Sequence, residues 1–528
     1  MKLAPNPRII PIKINVSTLI IIFFTTQKRL GKPCYDNICM ADNEQKDPQD
    51  SSVTKQTDPL DPLESAYESD VFHGDPIMDD VYIEPELPPP PPISIFKRIL
   101  KAIPFLIGII ILLLLGYLAY NYFLGRNGKG GPADLNYWTL WEDDSVYQPL
   151  IEEYQQQHSG VTVTLQKQSI IQYRERLQTH IASGEGPDIF RFHNTWTPML
   201  QGELSAMPSG VMTRAEFKEA YYPVIVEDLS VGETTVGLPL MFDGLMVFYN
   251  KDILQAAGFS VPSSDWNEFL LQAENMTVKQ GNKIVTAGAA LGRADNIEHF
   301  SDILGLLMLQ NGANPARPNT DAGAGGLVFY RIFAQTPDNV WSSEFDNDIL
   351  AFAGGKVAMI FAPSWEAFTI AAINPDLNFS TSPVPQVAGA EKQVAWASYW
   401  AEGVNAKSPN QQQAWEFLKF MAQKESLEKF YKLTAETRVL FGEPYPRRDL
   451  VETLGQNEYL ASLAQQGEYA QSFYMASRTF DNGINDGIIQ YYKNAVNSLD
   501  SGNSPQEALE TAAQGITQVL ERFNVVIE

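Results

Sequence analysis

Beyond residue 39 the 528-residue chain contains no cysteine, because Cys34 and Cys39 both lie near the N-terminal end. The long remainder therefore folds without disulfides and without thiolate-bound metal. Histidine is almost as scarce, with five scattered at positions 73, 158, 180, 193 and 299. Neither H-E-x-x-H nor a paired C-x-x-C occurs, so no metal site and no cofactor is expected. G-x-S-x-G is missing too. Gly354-Gly355-Lys356 ends like a phosphate loop, but Leu350 stands where the first glycine belongs and Val357 where Ser or Thr should follow. That run predicts a helix C-cap leading into a strand from Val357 to Phe361. Basic residues are few: from Asp134 onward 25 Lys and Arg face 48 Asp and Glu. A nucleic-acid partner is thereby disfavoured, since phosphates need a basic surface. No internal repeat of about 20 to 50 residues, the solenoid scale, is present.

What the chain does have is one long uncharged apolar stretch, Ala102 to Gly125. A helix over it, rising ~1.5 Å per residue, reaches roughly 36 Å and crosses a hydrocarbon core of about 30 Å. Lys97, Arg98 and Lys101 precede it, against Arg126 and Lys129 after it, a bias that places the N-terminus in the cytoplasm and the C-terminal domain outside the cell. A cleaved signal peptide is the rival. Its apolar region would be shorter, and no A-x-A site follows here, so 97–125 is expected to be a single-pass signal anchor. Residues 1–39 read as an upstream extension before a polar start at Met40. Residues 40–96, acidic and ending in the run Pro88 to Pro92, are predicted to be a disordered cytoplasmic tail, because so little apolar surface cannot offset the entropy of ordering. Residues 126–133 are a Gly-rich linker.

From 134 to 528 the pattern is that of a folded domain. Leu135 to Leu140 alternates as a strand, Val146 to His158 carries one apolar helical face, Val161 to Gln166 alternates again, Ile170 to Ser183 is helical, and Asp188 to Phe192 is a third strand. Such alternation argues for parallel α/β units. Asp265 with Glu268, Ser408-Pro409-x-Gln411 and Ser504-Pro505-x-Glu507 read as helix N-caps, the last two as capping boxes with Pro at N1.

All nine tryptophans follow the apolar stretch, and several stand beside carboxylates or amides: Trp138 and Trp141 with Glu142, Asn194 with Trp196, Tyr399 and Trp400 with Glu402. Flat rings offer a face to the polarised C–H groups of a sugar, and adjacent amides and carboxylates hydrogen-bond its hydroxyls. Trp415, on an apolar helical face, reads as core. The runs GEGPDIFRFHNTW (Gly184 to Trp196), GLPLMFDGLMVFYNKDIL (Gly237 to Leu254), AGGKVAMIFAPSW (Ala353 to Trp365) and YWAEGVNAKSPNQQQAWEFLKFM (Tyr399 to Met421), in this order, resemble extracellular solute-binding proteins of carbohydrate ABC importers, similar to maltose-binding proteins.

The resemblance implies a two-lobed α/β fold of the periplasmic-binding-protein type, with ligand clamped between the lobes. Lobe 1 would be about 134–245 and 396–450, and lobe 2 about 246–395 and 451–528. The implied ligand-binding residues are Trp141, Glu142, His193, Asn194, Trp196, Asp243 at the first crossover, Trp365 on the facing lobe, Tyr399 and Trp400. Arg191, His299, Asp302 and Asp481 are further candidates, His299 equally a surface or capping residue. The implied function is capture of a sugar or oligosaccharide by hinge closure and its delivery to an importer, without catalysis. Permease and ATPase would be separate subunits, because one span forms no pore and no phosphate loop is present. A surface glycosidase is the enzymatic alternative, and a carbohydrate sensor or adhesin without an importer is the other.

Overall fold

The computed structural model describes residues 107–117 and 132–526. The upstream extension, the acidic tail, most of the linker and the remainder of the expected anchor lie outside them. Residues 107–117 are helical with exposed apolar side chains. Among the described residues, no helix is long and apolar enough to cross a membrane.

The folded domain opens with β1 (Ala133–Thr139), α1 (Asp144–Gln157), β2 (Val161–Lys167), α2 (Tyr173–Ser183) and β3 (Ile189–His193). In α1 the buried positions Val146, Tyr147, Leu150, Ile151 and Tyr154 form one stripe against the sheet. Gly184 ends α2 at φ +81°, a left-handed conformation that glycine adopts without steric cost. β1 runs parallel to both β2 and β3, with Ala133 opposite Val161 and Tyr137 opposite Ile189.

The chain then passes to a second sheet through β4 (Met246–Asn250), α3 (Trp266–Met276), β5 (Lys283–Ala289), α4 (Phe300–Gln310), β6 (Val357–Ala362), α5 (Glu366–Ile373) and β7 (Phe379–Ser382). Their order is β7-β4-β6-β5, with the short strand Val278–Gln280 at the β5 edge. β8 (Trp400–Val404) returns to the first sheet, giving the order β8-β3-β1-β2. α6 (Gln411–Met421) follows, and α7 (Ile484–Ser498) and α8 (Pro505–Arg522) close the domain.

Parallel α/β units were the expectation, and β1 with β2 and β3, and β5 with β6, meet it; each sheet as a whole is mixed. β4 lies antiparallel to β6, and β8 antiparallel to β3. Each is the first strand after a passage between sheets. A chain arriving from the other lobe enters at the edge where the parallel strands end, so it can only run back against them.

The passages lie side by side. Gly244 bridges Ala397, and Ala395–Trp396 pairs in parallel with Ala470–Gln471. A Cβ at Gly244 would sit 2.2 Å from the Trp396 carbonyl oxygen, so only glycine permits this approach.

Local signals fared unevenly. Asp265 caps α3 by accepting from the amides of Asn267 and Glu268, and Ser504 with Glu507 forms a reciprocal capping box on α8. Gly354 caps the helix before β6 as expected, and Trp415 is fully buried. The Ser408–Gln411 box does not form, because α6 starts at Gln411 with Asn410 as its uncapped N-cap. Ser408 Oγ instead donates to Asp188 (2.5 Å), and Gln411 is taken by Ser205 Oγ (2.6 Å) and the Ala406 carbonyl (2.8 Å).

Candidate ligand-binding site

β1 and β3 are parallel, and shortly beyond their carboxyl ends lie Trp141, Glu142 and Asn194 to Trp196. β8 starts at the same edge, with Trp400 in register with His193. Loops beyond the carboxyl ends of parallel strands are where α/β folds place ligands. The Trp141 and Trp400 rings meet edge to face at 4.8 Å, and Trp400 makes similar contacts with His193 at 5.0 Å and Trp196 at 5.1 Å. Trp141 is 41 % exposed and Trp400 half-buried. Together they form an aromatic shelf.

Trp196 departs from expectation. It is fully buried beneath Trp400 and beside Tyr173, so it supports the shelf and offers no face to a ligand.

Glu142 departs as well, because its carboxylate is closed off. Arg191 Nη1 donates to Oε2 (2.6 Å), as does the Tyr147 hydroxyl (3.3 Å), and Arg438 Nη2 donates to Oε1 (3.2 Å). Arg191 also donates through Nε and Nη2 to Glu402 Oε1 (3.0 and 2.7 Å) and through Nη2 to Tyr147 (2.6 Å). Arg438 pairs with Glu443. Burial alone would raise the Glu142 carboxyl, but Arg191 and Arg438 outweigh it and hold it at about 2. At Glu402 burial wins and the carboxyl lies above its ordinary value despite Arg191. Arg191 is thus a buried tie among three elements, with its guanidinium 5.9 Å from the Trp141 ring centre.

The polar candidates at the end of β3 and just before β8 are held similarly. Asn194 Nδ2 (2.8 Å), the Tyr399 hydroxyl (3.0 Å) and Ser472 Oγ (2.5 Å) all donate to the half-buried Asp228 carboxylate, which desolvation raises to about 6. Asn194 and Tyr399 are therefore bound to protein groups, against the expectation that they meet ligand. His193, pushed down to about 3 by burial, is neutral. Its Nδ1 faces Thr195 Oγ1 (2.8 Å), which itself accepts from Asn485 Nδ2 (2.7 Å). The Thr195 proton accordingly goes to Nδ1, leaving the His193 proton on Nε2, where it points at Ser398 Oγ (3.2 Å).

On the second sheet, Trp365 follows β6 and is half-buried. Asp243 ties it to the shelf. The Asp243 carboxylate accepts from Ser364 N (2.9 Å) and Ser364 Oγ (2.7 Å), while its carbonyl accepts from Ser398 N (3.0 Å), two residues before Trp400. Burial raises Asp243 to about 6, in spite of the hydrogen bonds from Ser364. The two aromatic groups thus converge on the first passage between sheets.

His299 packs edge-on against Trp365 at 5.6 Å and contacts Glu366 (3.3 Å) and Ser477 Oγ (2.7 Å). Burial would lower it, but Glu366, Asp302 and Asp348 raise it above its ordinary value. Asp302 accepts from Trp396 Nε1 (2.9 Å) and Ser477 N (3.1 Å). Asp481, fully buried, accepts from the amides of Gly483, Asn485 and Asp486. Asp302 and Asp481 therefore hold backbone in place, contrary to a direct ligand role. Glu402, singled out beside Tyr399 and Trp400, is the second carboxylate on Arg191, whereas Asp228, Tyr147 and Arg438 carried no signal in the sequence. Among the described residues no group of His, Cys, Asp and Glu is arranged to hold a metal ion.

The family model for bacterial extracellular solute-binding proteins matches residues 138–428. A multiple sugar-binding protein of Streptococcus mutans serotype c is 19% identical over 412 residues, 73% of this chain and 96% of that protein. Among solved structures, a cyclo/maltodextrin-binding protein complexed with maltotetraose superposes with a TM-score of 0.60 at 18% identity, covering 75% of this chain and 99% of its own. The sugar-binding protein MalE of Xanthomonas citri superposes at 0.61, also at 18% identity, covering 74% and 98%. At such identities the structural likeness is one of fold.

Proposed function

This chain belongs to the bacterial extracellular solute-binding proteins, and we propose that it captures a neutral sugar or oligosaccharide between its two lobes and hands it to an ABC importer. The observation that carries the proposal is the shelf of Trp141 and Trp400, tied through Asp243 to Trp365 on the facing lobe. Solvent-reachable indole faces at the ends of strands, close to the passages between lobes, suit sugar rings. The multiple sugar-binding relative and the neighbour solved with maltotetraose support the same ligand class.

In this proposal Trp141, Trp400 and Trp365 stack on sugar rings, Ser398 lies where a hydroxyl would meet it, and Asp243, held by Ser364 and Gly244, fixes the passage between the two aromatic groups. Trp196, Arg191, Glu142, Glu402, Asn194 and Tyr399 fix the shelf from beneath. The lobes, about 134–245 with 396–450 and 246–395 with 451–528, close by rotation at the adjacent passages, and ligand shifts the equilibrium by binding the closed state more tightly. The protein binds without turnover: Glu142 and Glu402, which support the shelf, are both paired with Arg191. The stretch Ala102 to Gly125 anchors the domain to the cell membrane as a single pass with a cytoplasmic tail, and permease and ATPase subunits are separate chains.

A thermal-shift screen of the purified chain against mono- and oligosaccharides tests this. A sugar at a hundredfold its Kd should add about 2.7 kcal/mol of stability. Multiple-turnover release of shorter sugars would replace the proposal with a glycosidase.

A further inference from the structure

Three non-glycine residues with left-handed backbone alternate within one short segment: Arg478 (φ +63°), Phe480 (φ +49°) and Asn482 (φ +45°). Side chains seldom adopt this conformation unless their surroundings impose it, and such residues collect at ligand clamps. The alternation turns Thr479 and Asp481 into the protein, while the side chain of Arg478 stays 45 % exposed and Phe480 39 % exposed. Both ends of the segment are fixed. Ser477 N donates to Asp302 (3.1 Å), and the Asp481 carbonyl accepts from Arg174 Nε (2.8 Å).

Held this way, the Arg478 guanidinium lies 5.7 Å from the Trp365 ring centre and 5.4 Å from that of Phe480, and Nη1 donates to Glu298 (2.7 Å). A guanidinium over an indole occupies the ring face that a sugar would stack on. We propose that Arg478 is a gate on the Trp365 platform, covering that face in the absence of ligand and swinging away when a sugar ring takes its place. This rests on the stacking role given to Trp365 above. With Arg478 itself 45 % exposed and Glu298 and Trp365 half-buried, the ion pair and the cation–π contact are each of modest strength, so a sugar can displace the side chain. Arg478 is then a determinant of affinity that opposes binding, unlike the residues around it.

The test uses the full chain and maltotetraose as the probe, titrated by calorimetry. Arg478→Ala should tighten binding by roughly three- to tenfold, the size of the contacts removed. Glu298→Gln, which frees the guanidinium, should tighten it less. Wild-type affinity should rise from about 0.05 to about 0.5 M NaCl as the ion pair is screened, and Arg478→Ala should lose that dependence. Binding that is unchanged or weaker in Arg478→Ala, while Trp365→Ala abolishes it, overturns the gate and leaves the site standing. Binding unaffected by Trp365→Ala overturns the platform itself. Should maltotetraose not bind, acrylamide quenching of tryptophan tests the gate without sugar. Arg478→Ala should increase quenching by uncovering Trp365, the increase should vanish in Trp365→Phe, and no increase overturns the gate.

Discussion

Replacing Arg191 by methionine is the most severe test of how the aromatic shelf is supported. Arg191 is fully buried and spends four hydrogen bonds on Glu142, Glu402 and Tyr147. Methionine keeps much of the stem volume and removes the charge. Glu142 retains Arg438 at 3.2 Å, but Glu402, whose side chain is 1 % exposed, is left without a cation. Stripping one partner from a buried pair costs about 3–5 kcal/mol, because the remaining charge stays desolvated. A loss of about 4 kcal/mol at pH 7 is the expected result, read from the urea midpoint at constant m.

The pH dependence has a definite sign. In the wild type the depressed Glu142 contributes stability that is present above its ordinary value of 4.5 and is lost as pH falls through about 2. Glu402 is raised, so its contribution is fully present below 4.5 and lost as pH rises through its folded-state value. Without Arg191, Glu402 moves up further, so the Arg191→Met deficit should shrink between pH 7 and pH 5. Adding Glu402→Gln should recover much of it at pH 7. A single variant within about 1 kcal/mol of wild type, or a double variant no better than the single, refutes the assignment of Arg191 as the tie.

Trp196→Ala should destabilise the domain by about 3–5 kcal/mol through lost burial and a cavity, whereas Trp141→Ala should leave the melting temperature nearly unchanged and weaken sugar binding; thermal melts and titrations of the two variants check this. Asp228, raised to about 6 by burial, contributes stability that is present below its ordinary 3.8 and lost as pH rises through about 6. The stability of wild type relative to Asp228→Asn should therefore decline from pH 4 to pH 7, and a constant difference would contradict this. Ser504→Ala breaks the capping box on α8 and should cost about 1 kcal/mol by urea denaturation.

Legibility in the sequence followed the range of the forces involved. The caps at Asp265 and Ser504 involve residues three apart, and the buried stripe of α1 follows helical periodicity, so both could be read directly. The Ser408 cap looked equally good locally but lost its hydroxyl to Asp188, 220 residues away. Glu142 gives no local sign of being closed off, because its partners Arg191 and Arg438 lie 49 and 296 residues later. Asn194 and Tyr399 are likewise claimed by Asp228, which carries no motif. Nothing in the pattern around Trp196 distinguishes it from Trp141; Trp400 touches both rings, and it is the added packing of Tyr173 and His193 that leaves Trp196 covered. The alternating and apolar runs placed the carboxyl ends of β1, β2, β3 and β6 to within about a residue, and the division between ring faces and supporting groups was left to the tertiary structure.

Binding of a sugar on Trp141, Trp400 and Trp365 between the lobes can be measured by titrating tryptophan emission of the full chain with neutral mono- and oligosaccharides, in the wild type and in Trp400→Ala and Trp365→Ala. The expected result is a saturable change with at least one sugar in the wild type, and affinity at least several-fold weaker in both variants while their folds are retained. A confirmed sugar ligand whose affinity is the same in all three proteins would mean that these rings do not form the site.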